Sequence, residues 1–108
     1  MSPATLDDFK KIELRVARIV DVQEIPGADR LWKLTVDVGT ERKDIVAGIK
    51  ARYTKESLID KHIVVVNNLV PAVIRGVESR GMLLAAKDGN SLTLVSPVEP
   101  LPAGSVVG

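Results

Sequence analysis

Ile12-Glu13-Leu14-Arg15-Val16-Ala17-Arg18-Ile19-Val20-Asp21-Val22 is the stretch that decides the fold. Ile12, Leu14, Val16, Val20 and Val22 share one parity, and Glu13, Arg15, Asp21 and Gln23 share the other. A period of two is the signature of a half-buried strand, whose successive side chains point to opposite faces. Arg18 and Ile19 interrupt the alternation, as a bulge in a curved strand would. A strand this long, coiled so that it serves both halves of a sheet, is a feature of small closed barrels.

Working outward, Pro26-Gly27-Ala28-Asp29 predicts a turn, and Leu31 to Val38 a second strand with Leu34, Val36 and Val38 inward. Gly39 to Arg42 then leads by a hairpin connection into a third strand, Lys43 to Ala47. Thr54 is a good N-cap for a short helix ending near Ile59, with Glu56 in its first turn. His62 to Leu69 predicts a buried strand, because Ile63 to Val66 is an unbroken apolar run, and Pro71 ends it. Val73 and Ile74 predict a short edge followed by a loop from Gly76 to Gly81. Met82 to Ala86 and Ser91 to Val95 flank Lys87-Asp88-Gly89-Asn90, where Asp-Gly predicts a type I′ turn. At the N-terminus, Thr5 and Asp8 have the spacing of a capping box for one helical turn.

Three strands, a helix, then two more strands is the connectivity of an OB-fold. The predicted fold is therefore all-β with short helices: a five-stranded OB-fold barrel, with a core over about 12–87 and a C-terminal extension over about 91–108. Residues 1–108 fit a single domain.

Composition narrows the function. Phe9, Trp32 and Tyr53 are the three aromatic residues, so the core must be aliphatic. Three aromatics so far apart cannot form the stacking platform on which OB-fold proteins hold single strands. Net charge is only +1, so any polyanion would have to be held by charges gathered on one face. No cysteine is present, which removes disulfides, thiolate metal sites and cysteine nucleophiles. The lone His62 and the scattered serines lie in no catalytic motif, and Gly76 to Gly81 lacks the ending of a phosphate loop. No enzyme activity, cofactor or metal is expected. The N-terminal segment has no signal-peptide core, and no apolar run could cross a bilayer, so a cytoplasmic protein without a membrane partner is expected.

Leu14-Arg15-Val16-Ala17-Arg18-Ile19-Val20 and Pro26-Gly27-Ala28-Asp29-Arg30-Leu31-Trp32-Lys33-Leu34 occur in order with Val36-Asp37-Val38-Gly39 and Ile45-Val46-Ala47-Gly48-Ile49. The most specific block runs from Asn68 to Ala86, with Asn68-Leu69, Pro71, Arg75-Gly76, Ser79 and Gly81-Met82-Leu83-Leu84-Ala85. This ordered set, spread over about residues 9–107, resembles the tRNA-binding domain family. That family includes the C-terminal domain of methionyl-tRNA synthetases and free-standing tRNA-binding proteins. The resemblance implies a non-catalytic domain that binds structured tRNA by shape, auxiliary to methionyl-tRNA synthetase, whose catalytic subunit is a possible partner. It also implies a homodimer. A chaperone-like or export-related relative on the same barrel, binding polypeptide, is the alternative. Val70 and Val73 stand where the family often has Lys, and Asp60 where Gly is common.

Most candidate residues have two readings, one implied by the resemblance and one by the residue's own chemistry. Ser79 and Met82 lie either at the RNA surface or in a loop that its glycines let turn tightly, with the Met plugging the barrel end. Asn68 either satisfies backbone groups or bonds to RNA. Arg75 and Arg80 flank one loop and either grip phosphate or belong to a solvated loop with Glu78 as ion-pair partner. Lys33 and Lys43 are expected to point outward from neighbouring strands and extend a basic stripe. Leu94, Val95, Val98, Leu101, Val106 and Val107 either pack on their own barrel or form a two-fold interface.

Overall fold

The computed structural model describes residues 1–108. A capped turn of helix, α1 (Leu6–Lys10), opens the chain; Thr5 and Asp8 form the expected capping box, each side chain accepting from the other's backbone N–H. There follow β1 (Leu14–Glu24), β2 (Trp32–Asp37) and β3 (Arg42–Ala47), then α2 (Lys55–Leu58) capped by Thr54, and β4 (His62–Val66). The remaining strands are short: β5 (Ala72–Ile74), β6 (Val77–Ser79), β7 (Met82–Leu83), β8 (Ala85–Asp88), β9 (Ser91–Leu94) and β10 (Val106–Val107). No helix is long and apolar enough to cross a membrane.

The five main strands run antiparallel in the order β3-β2-β1-β4-β7, nearly closed into a barrel. β1 makes this possible by changing neighbours along its length. Its second half pairs β2 and its first half pairs β4, with β10 extending the β2 side at Leu14 and Arg15. The β1–β2 register shifts between Ile19 and Asp21, so a bulge does occur, one residue beyond the expected interruption.

That bulge corrects the predicted inward set. Ala17, Ile19 and Val22 line the barrel core, whereas Ile12 is exposed. Val16 is also buried, but outside that cluster, where the returning C-terminal segment bonds to its backbone: Ser105 accepts from its N–H at 2.9 Å and Gly104 donates to its carbonyl at 2.7 Å. Leu34, Val36, Ile45, Leu58, Ile63 and Val65 complete the centre, an aliphatic core as the composition required. Trp32 is buried at its edge, donating from Nε1 to the Tyr53 carbonyl at 2.8 Å, and the Tyr53 hydroxyl accepts from Leu94 N–H at 3.1 Å. Two of the three aromatics are thus committed to the frame, and Phe9 sits exposed on α1.

Three local expectations change. The fourth strand ends at Val66, and Asn67 and Asn68 already leave the sheet. Residues expected as a loop from Gly76 to Gly81 contain β6, which pairs with β5. The β8–β9 turn is Gly89-Asn90 rather than Asp88-Gly89, since Asp88 pairs with Ser91. Only Gly89 has positive φ there, which is the type II′ pattern rather than type I′.

Candidate nucleic-acid interface

Between Val66 and Met82 the chain leaves the barrel as a hairpin. Ala72, Val73 and Ile74 pair with Ser79, Glu78 and Val77, and Arg75-Gly76 is the two-residue turn. Both turn residues have positive φ, 52° at Arg75 and 79° at Gly76, the type I′ conformation whose twist matches a hairpin. Glycine takes this conformation freely; arginine does so at a cost, because its Cβ crowds the backbone. The sequence signal is weak: Gly76 follows the apolar run Ala72-Val73-Ile74, but Val77-Glu78-Ser79 is not a second apolar run, and Arg is an unusual residue for such a turn.

The base of the hairpin is bonded into the barrel. Arg80 N–H donates to the Asp44 carbonyl at 2.9 Å, and Val46 N–H donates to Ser79 Oγ at 3.0 Å. Ser79 in turn donates to the Gly81 carbonyl at 3.2 Å. Ser79 is 4% exposed, so the structure places it inside the seam between β3 and β6 and not on the solvent-facing surface where direct RNA contact is one of its expected readings. Gly81, at φ 135°, must be glycine: a Cβ there would lie 2.9 Å from the Val66 carbonyl oxygen.

The other candidate residues separate into exposed groups and framing groups. Arg75 is exposed at the tip and takes part in none of the four ion pairs of the chain. Arg80 is partly exposed, with Nη2 3.1 Å from Glu41 Oε1. Met82, the first residue of β7, is exposed, and Lys33 faces outward from β2.

Lys43 does not point outward. It has the same parity as Ile45 and Ala47, is 8% exposed, and donates from Nζ to the Asn67 carbonyl at 2.9 Å. Burial is the main cause that holds its ammonium below the usual lysine range. Asn68 is exposed, yet its amide is engaged on both sides: Oδ1 accepts from Glu13 N–H at 2.9 Å, and Nδ2 donates to the Lys11 carbonyl at 2.7 Å. Asn67, Asn68 and Lys43 thereby tie the start of the hairpin to the start of β1 and to β3.

Arg15 and Arg18 are both structural. Arg15 bonds to Glu13 and to the Gly104 carbonyl, and Arg18 to Asp60. Hydrogen bonds from Arg15 and Asn67 hold the Glu13 carboxyl below its ordinary range. Sequence reasoning missed the cleft behind the hairpin, lined by Thr35, Arg42, Lys43, Asp44, Glu78 and Arg80. It gathers cations and carboxylates in close company, and pairing of the Thr35 hydroxyl with Asp44 at 2.8 Å keeps one carboxylate occupied.

Residues 14–106 match the family described as "Putative tRNA binding domain". The chain belongs to the tRNA-binding domain family. Relatives of this tRNA-binding domain include the methionine–tRNA ligase of Methanococcus aeolicus, 53% identical over 94% of this chain and 15% of that protein. The Thermotoga maritima ligase is 46% identical over 95% of the chain and 16% of that protein. The domain therefore spans only a small part of the ligases it resembles. Among solved structures, a MetRS-related protein from Pyrococcus horikoshii superposes with a TM-score of 0.93 at 34% identity, covering 100% of both chains. The chaperone CsaA from Bacillus anthracis superposes with a TM-score of 0.89 at 28% identity, covering 99% of this chain and 100% of that one.

The six residues expected at a two-fold interface do not behave as one group. Leu94, at 9% exposure, belongs to the core of its own barrel and leaves the interface set. Val107 is half-buried and paired with Leu14. Val95, Val98, Leu101 and Val106 are exposed, as are Leu6, Phe9 and Ile12 near the start of β1.

Proposed function

We propose that this domain binds structured tRNA without catalysis, with the tip and flank of the β5–β6 hairpin against the sugar-phosphate backbone. One observation carries the reading: Arg75, an unpaired exposed cation, occupies a backbone conformation that disfavours arginine. A strained residue held at an exposed tip points to use of its side chain. Arg80, Lys33 and Met82 provide further contacts, and Asn68, Lys43 and Ser79 serve as the frame beneath them. With Trp32 and Tyr53 built into the frame, no row of aromatics is left to stack single-stranded bases. A folded RNA, read through phosphates and shape, is the better ligand.

In this reading the domain is auxiliary to a methionyl-tRNA synthetase in the cytoplasm, joined to the catalytic part or acting beside it. Its contribution is a raised local concentration of tRNA, an avidity effect that needs no new chemistry. Residues 1–108 act as one unit, and two copies associate through the apolar surface of the C-terminal extension, joined by Leu6 and Phe9 of α1. Paired Val98→Asp and Leu101→Asp substitutions should shift the sedimentation coefficient to that of a monomer.

Filter binding of folded tRNA, unfolded tRNA and single-stranded DNA tests the central proposal. Wild type should prefer folded tRNA, and its affinity should fall steeply with salt through counterion release. Arg75→Ala/Arg80→Ala should weaken binding and reduce the log–log salt slope by roughly two. Equal or better binding of the single strand, or an unaltered double variant, overturns the proposal.

A second reading has its own observation. An apolar groove between the end of β3 and β7, lined by Val46, Ala47, Ile49, Met82, Leu83 and Leu92, suits an extended polypeptide. The likeness to CsaA supports that alternative. Unfolded polypeptide that competes with tRNA for Met82 would favour it.

A further inference from the structure

We propose that Ser79 is a positioning residue for RNA binding, acting as the latch that fixes the β5–β6 hairpin to β3. The proposal rests on the reading that RNA meets this hairpin. β3 and β6 meet at the seam of the barrel, where an ordinary sheet would continue with backbone-to-backbone bonds. The Arg80 N–H to Asp44 carbonyl bond at 2.9 Å is such a bond. At the next position the ladder is completed by a side chain: Val46 N–H donates to Ser79 Oγ at 3.0 Å. The same hydroxyl donates to the Gly81 carbonyl at 3.2 Å, so its one O–H donor and one of its two acceptor lone pairs are used inside the protein.

This placement has a mechanical consequence. Ser79 pairs with Ala72 at the base of the hairpin, four residues from Arg75 and adjacent to Arg80. The hairpin has only three residues per strand and β5 is exposed throughout, so the hairpin's own packing does little to hold its angle. Hydrogen bonds across the seam therefore set where Arg75 and Arg80 project. Ser79 cannot reach a ligand itself at 4% exposure. Its hydroxyl acts on RNA through the two arginines.

Ser79→Ala removes the hydroxyl and leaves Val46 N–H without a partner. A latch predicts that amide exchange at Val46 and across residues 72–80 accelerates by about tenfold, while the amides of Ile19 and Ile63 in the barrel keep their protection. It predicts about a tenfold loss of tRNA affinity and a log–log salt slope shallower by about one, because an arginine–phosphate contact is lost with the hairpin's pose. A neutral hydroxyl in direct contact with RNA would lower affinity without altering the slope. Combining Ser79→Ala with Arg75→Ala should cost less than the product of the two separate losses, since both remove one contact. Ser79→Thr, which keeps Oγ, should restore the salt slope.

An unchanged slope with multiplicative losses overturns the proposal in favour of direct contact. Unchanged exchange protection across residues 72–80 in Ser79→Ala overturns it as well. If wild type binds no tRNA, the underlying functional reading fails, and the exchange measurement still decides whether Ser79 holds the hairpin.

Discussion

Arg75 occupies a position where the demands of backbone and ligand oppose each other, and Arg75→Asn separates them. At φ 52° the side chain of an L-residue crowds its own backbone, whereas asparagine tolerates this region well and is favoured in type I′ turns. The left-handed conformation costs an ordinary residue roughly 1–2 kcal/mol. Asparagine recovers part of this, so a gain of about 0.5–1 kcal/mol is expected, and a melting temperature higher by roughly 3–6 °C. Arg75 makes no ion pair or hydrogen bond, so little native interaction is lost to offset the gain. Binding should move the other way. Loss of one exposed charge-assisted contact corresponds to about 1.4 kcal/mol, a tenfold weaker tRNA complex at moderate salt. Calorimetry and a filter-binding salt series on the same preparation read both quantities. A variant that is less stable, or that binds tRNA as wild type does, would refute the assignment of a strained functional tip.

Three other substitutions probe separate parts of the frame. Asp60 also has positive φ, 68°, and its side chain's only partner is Arg18 in an exposed ion pair, while its backbone N–H bond to the Ile19 carbonyl survives substitution; Asp60→Gly should stabilise by about 0.5 kcal/mol in thermal unfolding, since strain relief outweighs a surface pair. Gly81→Ala should destabilise by about 2–3 kcal/mol, because the added methyl meets the Val66 carbonyl in a conformation glycine favours. Lys43 has a depressed pKa through burial, so near pH 10 the unfolded chain binds more protons than the folded one, and stability rises with pH as 10.5 is approached. Lys43→Met should flatten that rise in urea unfolding compared at pH 7 and pH 10, and an unchanged difference between the two pH values would show that the ammonium is solvated.

Strand periodicity, the capping residues Thr5 and Thr54, and the order of the main strands were legible in the sequence because each is set by near neighbours along the chain, whereas β6 and β10, which form only by pairing with β5 and β1, were not. The ordered blocks from Leu14 to Ala86 carried the family. The aromatic count was informative too, since Trp32 and Tyr53 proved to be spent on the frame. Facing was less legible. A one-residue shift at the bulge moved the core onto Ala17 and Ile19, and no local pattern locates such a shift to the residue.

The candidate site was legible as a segment but not as a set of contacts. Ser79 looks like a surface hydroxyl in sequence, and only closure of β3 against β6 turns it into a seam residue, 33 positions from its partner Val46. Lys43 looks like one more outward lysine until the barrel end brings the Asn67 carbonyl to it, and Leu94 like an extension residue until Tyr53 meets its N–H. Sequence by itself determined which segments become the main barrel strands and which block is specific, since those follow from local spacing and residue type. The tertiary structure alone decided which polar groups remain free for a partner, because hydrogen bonds between distant segments consume donors and acceptors that appear available along the chain.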